Sequence, residues 1–282
     1  MANYTQTFVA GVGMIPFSKP GQSETYDVMG AEAVRLALKD AGISYDLIEQ
    51  AYTGFVYGDS TSGQKALYKV GMTGIPVFNV NNNCSTGSSA LFLARQAIQS
   101  GVADCVLAVG FEQMTPGALG MYFTDRPSPL GDFDAACDDL VGHEEVPMAL
   151  RYFGGAGKSH MDKYGTTIED FAKIRAKASR HAGNNPLAIF RKEVTPGDVL
   201  QSPIMWPGVM TRLMACPPTC GGAAAILVSE KFAKQHGLRQ DVMIAAQAMT
   251  TDFSSTFEAR DMMQVAGYDM AAAAAKSVYE AA

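Results

Sequence analysis

Cys84 sits in the run Asn81-Asn82-Asn83-Cys84-Ser85-Thr86-Gly87-Ser88-Ser89-Ala90, between a short apolar stretch and a segment with helical periodicity. The stretch before it, Ile75 to Val80, reads as a strand, and after it Ala90, Leu91, Ala94, Ala97 and Ile98 recur on one helical face. A thiol at that junction meets a helix N-terminus, where free backbone N–H groups and the positive end of the helix dipole favour the thiolate, the form of cysteine that attacks carbon. Gly87 and the small Ser88 and Ser89 leave room for a carbonyl to approach. The same spacing also suits a small apolar residue buried at a tight turn, which is what many free cysteines are. Local sequence leaves both readings of Cys84 open, nucleophile and packing residue.

The elements that would position this thiol alternate strand and helix from the N-terminus to Glu112, the pattern of an α/β layer with helices on the faces of a sheet. Phe8 to Val12 reads as a buried strand. Thr25 is placed to cap a helix on which Ala31, Val34, Leu38 and Ala41 recur before Gly42 ends it. Ala51 to Tyr57 is the next strand, and Cys105 to Gly110 is wholly apolar and short enough for a central one. From Thr115 to about Val209 glycines, prolines and acidic residues cluster and the strand rhythm disappears. One helix is expected there, starting at Thr167 with Asp170 three residues on and carrying Phe171, Ile174 and Ala178. The core pattern then returns, with Gly221 to Val228 and Val242 to Ala248 as strands, Glu230 to His236 as a short helix and Met270 to Ala281 as an alanine-rich one. The expected organisation is a first part of the core at 1–114, a loop-rich insertion at 115–209 and a return to the core at 210–282.

With 282 residues, 48% hydrophobic, the chain can bury one large core or two modest ones. Its net charge of −6 argues against general nucleic-acid binding and leaves room for a local basic patch facing a phosphorylated cofactor. No stretch approaches the ~20 apolar residues needed to span a bilayer, and the basic-then-apolar pattern of a secretory signal is absent from the N-terminus, so the expected location is the cytoplasm or an organellar matrix. Five cysteines, at 84, 105, 137, 216 and 220, lack the density of a disulfide scaffold and are expected to be reduced. Cys216 and Cys220 have no histidine at ligand spacing, so no metal site is expected. Asp134, Asp138, Asp139, Glu144 and Glu145 read as a solvated acidic face.

Beyond the cysteine segment, several strings resemble the thiolase family, and within it the sterol carrier protein X and lipid-transfer-protein group. They are Gly11-Val12-Gly13-Met14 with Phe17, Gly58-Asp59-Ser60-Thr61-Ser62-Gly63-Gln64, Gly71-Met72-Thr73-Gly74-Ile75-Pro76 and Val106 to Met114, followed by Lys163-Tyr164-Gly165, Asn184-Asn185-Pro186 and Thr250-Thr251-Asp252. The likeness runs nearly end to end, in order. It implies a thiolase-like α/β fold, represented by its N-terminal core half with an inserted loop domain that covers coenzyme A. It makes Cys84 the nucleophile of an acyltransferase that cleaves 3-oxoacyl-CoA, with coenzyme A as a substrate and no permanently bound cofactor. It further implies a homo-oligomer formed through core strands near the nucleophile.

What the resemblance transfers to other residues is narrower. Tyr152 and Phe153 align loosely with the segment that contacts the cofactor, His160 lies close to it, and Cys216 is expected to line the approach as a small buried residue. Glu112 matches a Gly-x-Glu-x-Met segment and is read as structural or interfacial. Cys220 in Cys220-Gly221-Gly222 has the bare pattern of the family's second, acid/base cysteine, but it precedes Ala223-Ala224-Ala225 where an Asp-Gly-Ala-Ala segment is usual, so it is read as replacing an aspartate. The family's second half carries a Gly-His-Pro histidine. The four histidines here, at 143, 160, 181 and 236, stand in other contexts, and none is carried over as the base. The expectation is therefore that the C-terminal half, or a partner protein, supplies the missing acid/base and that the 282 residues alone are inactive in thiolysis. The rival expectation is a non-thiolytic steroid-acyl-CoA aldolase subunit or acyl-CoA-binding scaffold in which Cys84 is incidental.

Overall fold

The structure is a computed structural model that describes residues 4–117, 122–143 and 146–282. Along the chain come β1 (Thr7–Met14), α1 (Tyr26–Ala41), β2 (Gln50–Gly54), α2 (Ser62–Leu67), β3 (Val77–Val80), α3 (Thr86–Gln99) and β4 (Cys105–Glu112). There follow α4 (Gly131–Val141), α5 (Met148–Tyr164), α6 (Ile168–Gly183), α7 (Pro196–Gln201) and the small hairpin β5 (Ile204–Trp206) and β6 (Met210–Thr211). The chain ends with β7 (Gly221–Ser229), α8 (Glu230–His236), α9 (Ser255–Glu258), α10 (Met262–Val265) and α11 (Tyr268–Ala281). Two compact units result. One holds the residues up to Pro116 with Pro218–Met249 and Val278–Ala282, the other Gly117–Pro217 with Thr250–Ser277.

The first unit is the expected α/β layer. Its five-stranded sheet has the order β1-β7-β4-β2-β3, antiparallel from β1 to β4 and parallel from β4 to β3. Strand β4 is central, and its alternation assigns its side chains to two cores. Cys105, Leu107 and Val109 join Val34, Leu38 and Ile226 on the α1 face, while Val106 and Ala108 join Ala94, Ile98 and Leu227 on the α3 face. The Gly11-Val12-Gly13 string is explained by close approach: a Cβ at Gly13 would stand 2.2 Å from the Ala33 carbonyl oxygen of α1. Thr25 and Gly42 bound α1 as expected, with Gly42 in the left-handed conformation that ends a helix, but the Thr25 side chain makes no capping hydrogen bond. Val242 to Ala248 is not a strand. Met243 makes a single bridge to Phe8, with Val9 N–H donating to Val242 O at 2.9 Å and Ile244 N–H to Thr7 O at 3.0 Å, and the segment then leaves the sheet.

The second unit is helical rather than loop-rich. The capping box that marks α6 is present, with Thr167 N–H donating to Asp170 Oδ2 at 3.1 Å. Helices α4, α5 and α7 were not expected; α5 contains Gly154, Gly155 and Gly157, and α4 carries four aspartates in its 11 residues. The α5 glycines are close-packing positions: a Cβ on Gly154 would meet the Trp206 ring at 2.8 Å, and one on Gly155 would meet Met262 Cε at 2.9 Å. Residues 250–277, expected in the core, contribute Met262 and Val265 to a cluster with Cys137 and Tyr152 in this unit. The acidic run is not simply solvated either. Asp134 accepts from Tyr152 Oη, Asp138 from the buried Arg151 guanidinium, and Asp139 pairs with Arg260 at 2.8 Å; Glu144 and Glu145 lie outside the described residues.

Candidate active site

Cys84 stands four residues past the end of β3 and just before Ser85, the residue that opens α3. It is exposed, which removes the reading of a buried packing residue. The turn is built from its own polar groups. Ser85 N–H and Oγ both donate to Asn82 O, at 3.1 and 2.8 Å, and Asn82 N–H donates to Thr86 Oγ1 at 2.9 Å. Asn83 takes φ +47°, a left-handed conformation that asparagine adopts more readily than most residues. A Cβ added at Gly87 would meet nothing within 4 Å, so the space beside the first turn of α3 is open. On the other side the turn is pressed to the sheet: a Cβ at Gly54 would stand 2.7 Å from Thr86 Cγ2.

Two further networks support the strand that delivers the turn. Asn79 of β3 accepts from Gly63 N–H at 2.9 Å and donates to Gln64 Oε1 at 2.8 Å, which ties the Gly58 to Gln64 string to the sheet. Glu112, at the end of β4, accepts from Val56 N–H at 2.8 Å and Tyr57 N–H at 3.2 Å and so fixes the loop after β2. Burial pushes its carboxyl above the usual range, against the downward pull of the Val56, Tyr57 and Gln113 N–H groups. These bonds fit the structural half of the expected structural or interfacial role.

The remaining thiols differ from Cys84. Cys220 is fully buried, its Sγ 3.4 Å from the Met114 carbonyl oxygen, and a Cβ on the neighbouring Gly221 would run into Phe17 at 2.2 Å. That is a packing position. Burial pushes the Cys105 thiol up to about 12, with Glu49 and Asp104 adding to the effect. Cys137 is buried beside Arg151 and is also raised, mainly by desolvation. Cys216 is exposed rather than buried as expected. Among the described residues no group of three or more His, Cys, Asp or Glu is arranged to hold a metal ion.

Cys84 belongs to the first unit, whereas Tyr152, Phe153, His160 and Cys216 belong to the second. On α5, Phe153 is 66% exposed, and His160 Nδ1 lies 2.8 Å from Thr166 Oγ1 with its ring against Tyr164. Tyr152 packs on the Cys137 and Met262 cluster and its hydroxyl is committed to Asp134. Sequence reasoning passed over Asn82, Thr86 and Ser89 as individual residues. Their spacing was the available signal, since Thr86 and Ser89 lie four and seven positions after Asn82 and so face it from the first two turns of a helix.

Residues 7–203 match the thiolase N-terminal domain. The chain belongs to the thiolase family. It is 49% identical over 285 residues to sterol carrier protein 2 of Oryctolagus cuniculus, covering 99% of this chain and 52% of that protein. This thiolase N-terminal domain with its inserted helices thus spans about half the length of the curated relatives it matches. The fold is shared with the human mitochondrial 3-ketoacyl-CoA thiolase solved with CoA, at a TM-score of 0.72 and 17% identity over 98% of this chain and 76% of that one. It is shared equally with a solved Ltp2-ChsH2(DUF35) aldolase, at a TM-score of 0.75 and 19% identity over 98% of this chain and 69% of that one.

Proposed function

We propose that the chain is the nucleophile-bearing part of a thiolase-type acyltransferase acting on 3-oxoacyl-CoA, with a fatty acyl or sterol side chain as the acyl part. The observation that carries this reading is the exposed thiol of Cys84 at the strand-to-helix turn. The Cys84 thiolate adds to the C3 keto carbon, and the C2–C3 bond then breaks. The acyl group stays on sulfur as a thioester, and the bonding pair leaves on C2 as the enolate of acetyl-CoA or propionyl-CoA, which a protonated acid group quenches. A coenzyme A thiol, losing its proton to a base, attacks the thioester and displaces Cys84. We assign the carrier contacts in the second unit to Phe153, His160 and Cys216, with Tyr152 supporting them. The acid/base is assigned to the part of the longer relatives outside the matched half, or to a partner protein.

The aldolase likeness supports a second reading, in which the fold binds an acyl-CoA whose carbon–carbon bond is cleaved by retro-aldol chemistry without an acyl-enzyme. Coenzyme A dependence separates the two. With the missing half supplied, loss of the 3-oxoacyl-CoA enolate absorbance should require free coenzyme A and disappear in Cys84→Ser. Cleavage of a 3-hydroxyacyl-CoA to a carbonyl compound without coenzyme A, unaffected by that substitution, would favour the aldolase. The 282 residues alone should give a rate near background, because loss of an acid/base costs ~10²–10⁴ in rate.

A further inference from the structure

Most of the bonds in the Cys84 turn are those any helix entry makes, between backbone groups and the hydroxyls of the first turn. One is not. Asn82 Nδ2 donates to Ser89 Oγ at 2.9 Å, joining the turn to a residue seven positions on. Ser89 is buried and passes its own proton to Ser85 O at 3.0 Å, with Met249 Sδ at 3.5 Å as the weaker alternative acceptor. Asn82 is exposed, so packing gives no reason for an asparagine there. The bond also straddles Asn83, whose left-handed conformation must be held by its surroundings.

We infer that Asn82 and Ser89 are positioning residues that lock the Cys84 turn onto α3 and hold the thiol at the helix N-terminus, an inference that rests on Cys84 being the nucleophile. Both act through the backbone of the turn. A turn that can relax away from α3 lets the sulfur wander from the one position in which it can meet a carbonyl carbon. Met249 lies on the same pair but offers only a thioether sulfur, a weak acceptor, so the inference assigns it no comparable share.

The test is the second-order rate of iodoacetamide alkylation at Cys84 in a Cys216→Ser background, with the melting temperature of each variant measured alongside. Asn82→Ala and Ser89→Ala should each slow the reaction by about tenfold or more while leaving the melting temperature nearly unchanged. Ser89→Thr keeps the hydroxyl and should restore most of the rate, and Met249→Leu should stay within about twofold. Unchanged rates in Asn82→Ala and Ser89→Ala, with wild-type Cys84 still outpacing a free thiol, overturn the positioning role and leave the nucleophile intact. A rate lost equally in Ser89→Thr, or only in step with the melting temperature, makes the pair purely structural. Wild-type Cys84 reacting no faster than free cysteine overturns the nucleophile reading and this inference with it.

Discussion

Burial divides the five thiols into two classes, with Cys84 and Cys216 exposed and Cys105, Cys137 and Cys220 buried. For Cys105 the sign is plain: a folded-state value near 12 keeps the thiol protonated at mildly alkaline pH, where a free cysteine begins to ionise, so it stays inert until the chain unfolds. Native protein treated with a thiol reagent at that pH should therefore show two reactive cysteines, with the other three released by denaturant. Peptide mapping at limiting reagent should find Cys84 labelled before Cys216. Early labelling of Cys105 or Cys137 would contradict the burial, and Cys216 leading would contradict the special position of Cys84. The strand-to-helix position of Cys84 was legible from sequence because an apolar strand and a helical stripe flank it on either side. Its Asn82–Ser89 support was not, because a run of three asparagines does not say which one turns to α3, and the left-handed Asn83 is a product of the folded turn.

Among the elements, the strands were legible and the inserted helices were not. Strands β4 and β7 announce themselves as short apolar runs because both faces of the sheet are covered. Helix α5 is hidden by glycines that lower helix propensity but let Trp206 and Met262 approach its backbone. Val242 to Ala248 misled in the opposite sense: it is apolar like a strand, but only a short part of it reaches the free edge of β1. The glycines give a direct check on this packing. Gly154→Ala forces a methyl into the rigid Trp206 ring and should destabilise by about 1–3 kcal/mol, whereas at Gly155 the obstacle is the flexible end of Met262 and the gain in helix propensity should roughly offset it. Gly63→Ala should be worse than either, because its Cβ would stand 2.0 Å from Thr53 Oγ1 and 2.4 Å from Asn79 Oδ1 and would break the brace under β3. Urea unfolding of the three variants checks the ranking; a Gly63→Ala protein as stable as wild type would refute the close approach.

For the molecule as a whole, the free edge of β3 is the feature that bears on assembly. Phe78 on that edge strand is 46% exposed and stacks on Tyr52, beside a cleft of about 590 Å³ lined also by Tyr4, Leu93 and Val102. An exposed strand edge with aromatic side chains favours pairing with another chain. The protein should therefore self-associate in light scattering at high concentration, and Phe78→Lys should shift it toward monomer; a monodisperse monomer in the wild type would contradict that expectation. Acyl exchange tests whether Cys84 carries the acyl group without needing the acid/base that carbon–carbon cleavage requires. Incubation with acetyl-CoA, an acid quench and peptide mapping by mass spectrometry should place one acetyl group on Cys84 with release of coenzyme A, and none on that peptide in Cys84→Ser. An unmodified Cys84 under these conditions, or an adduct confined to Cys216, would contradict the account.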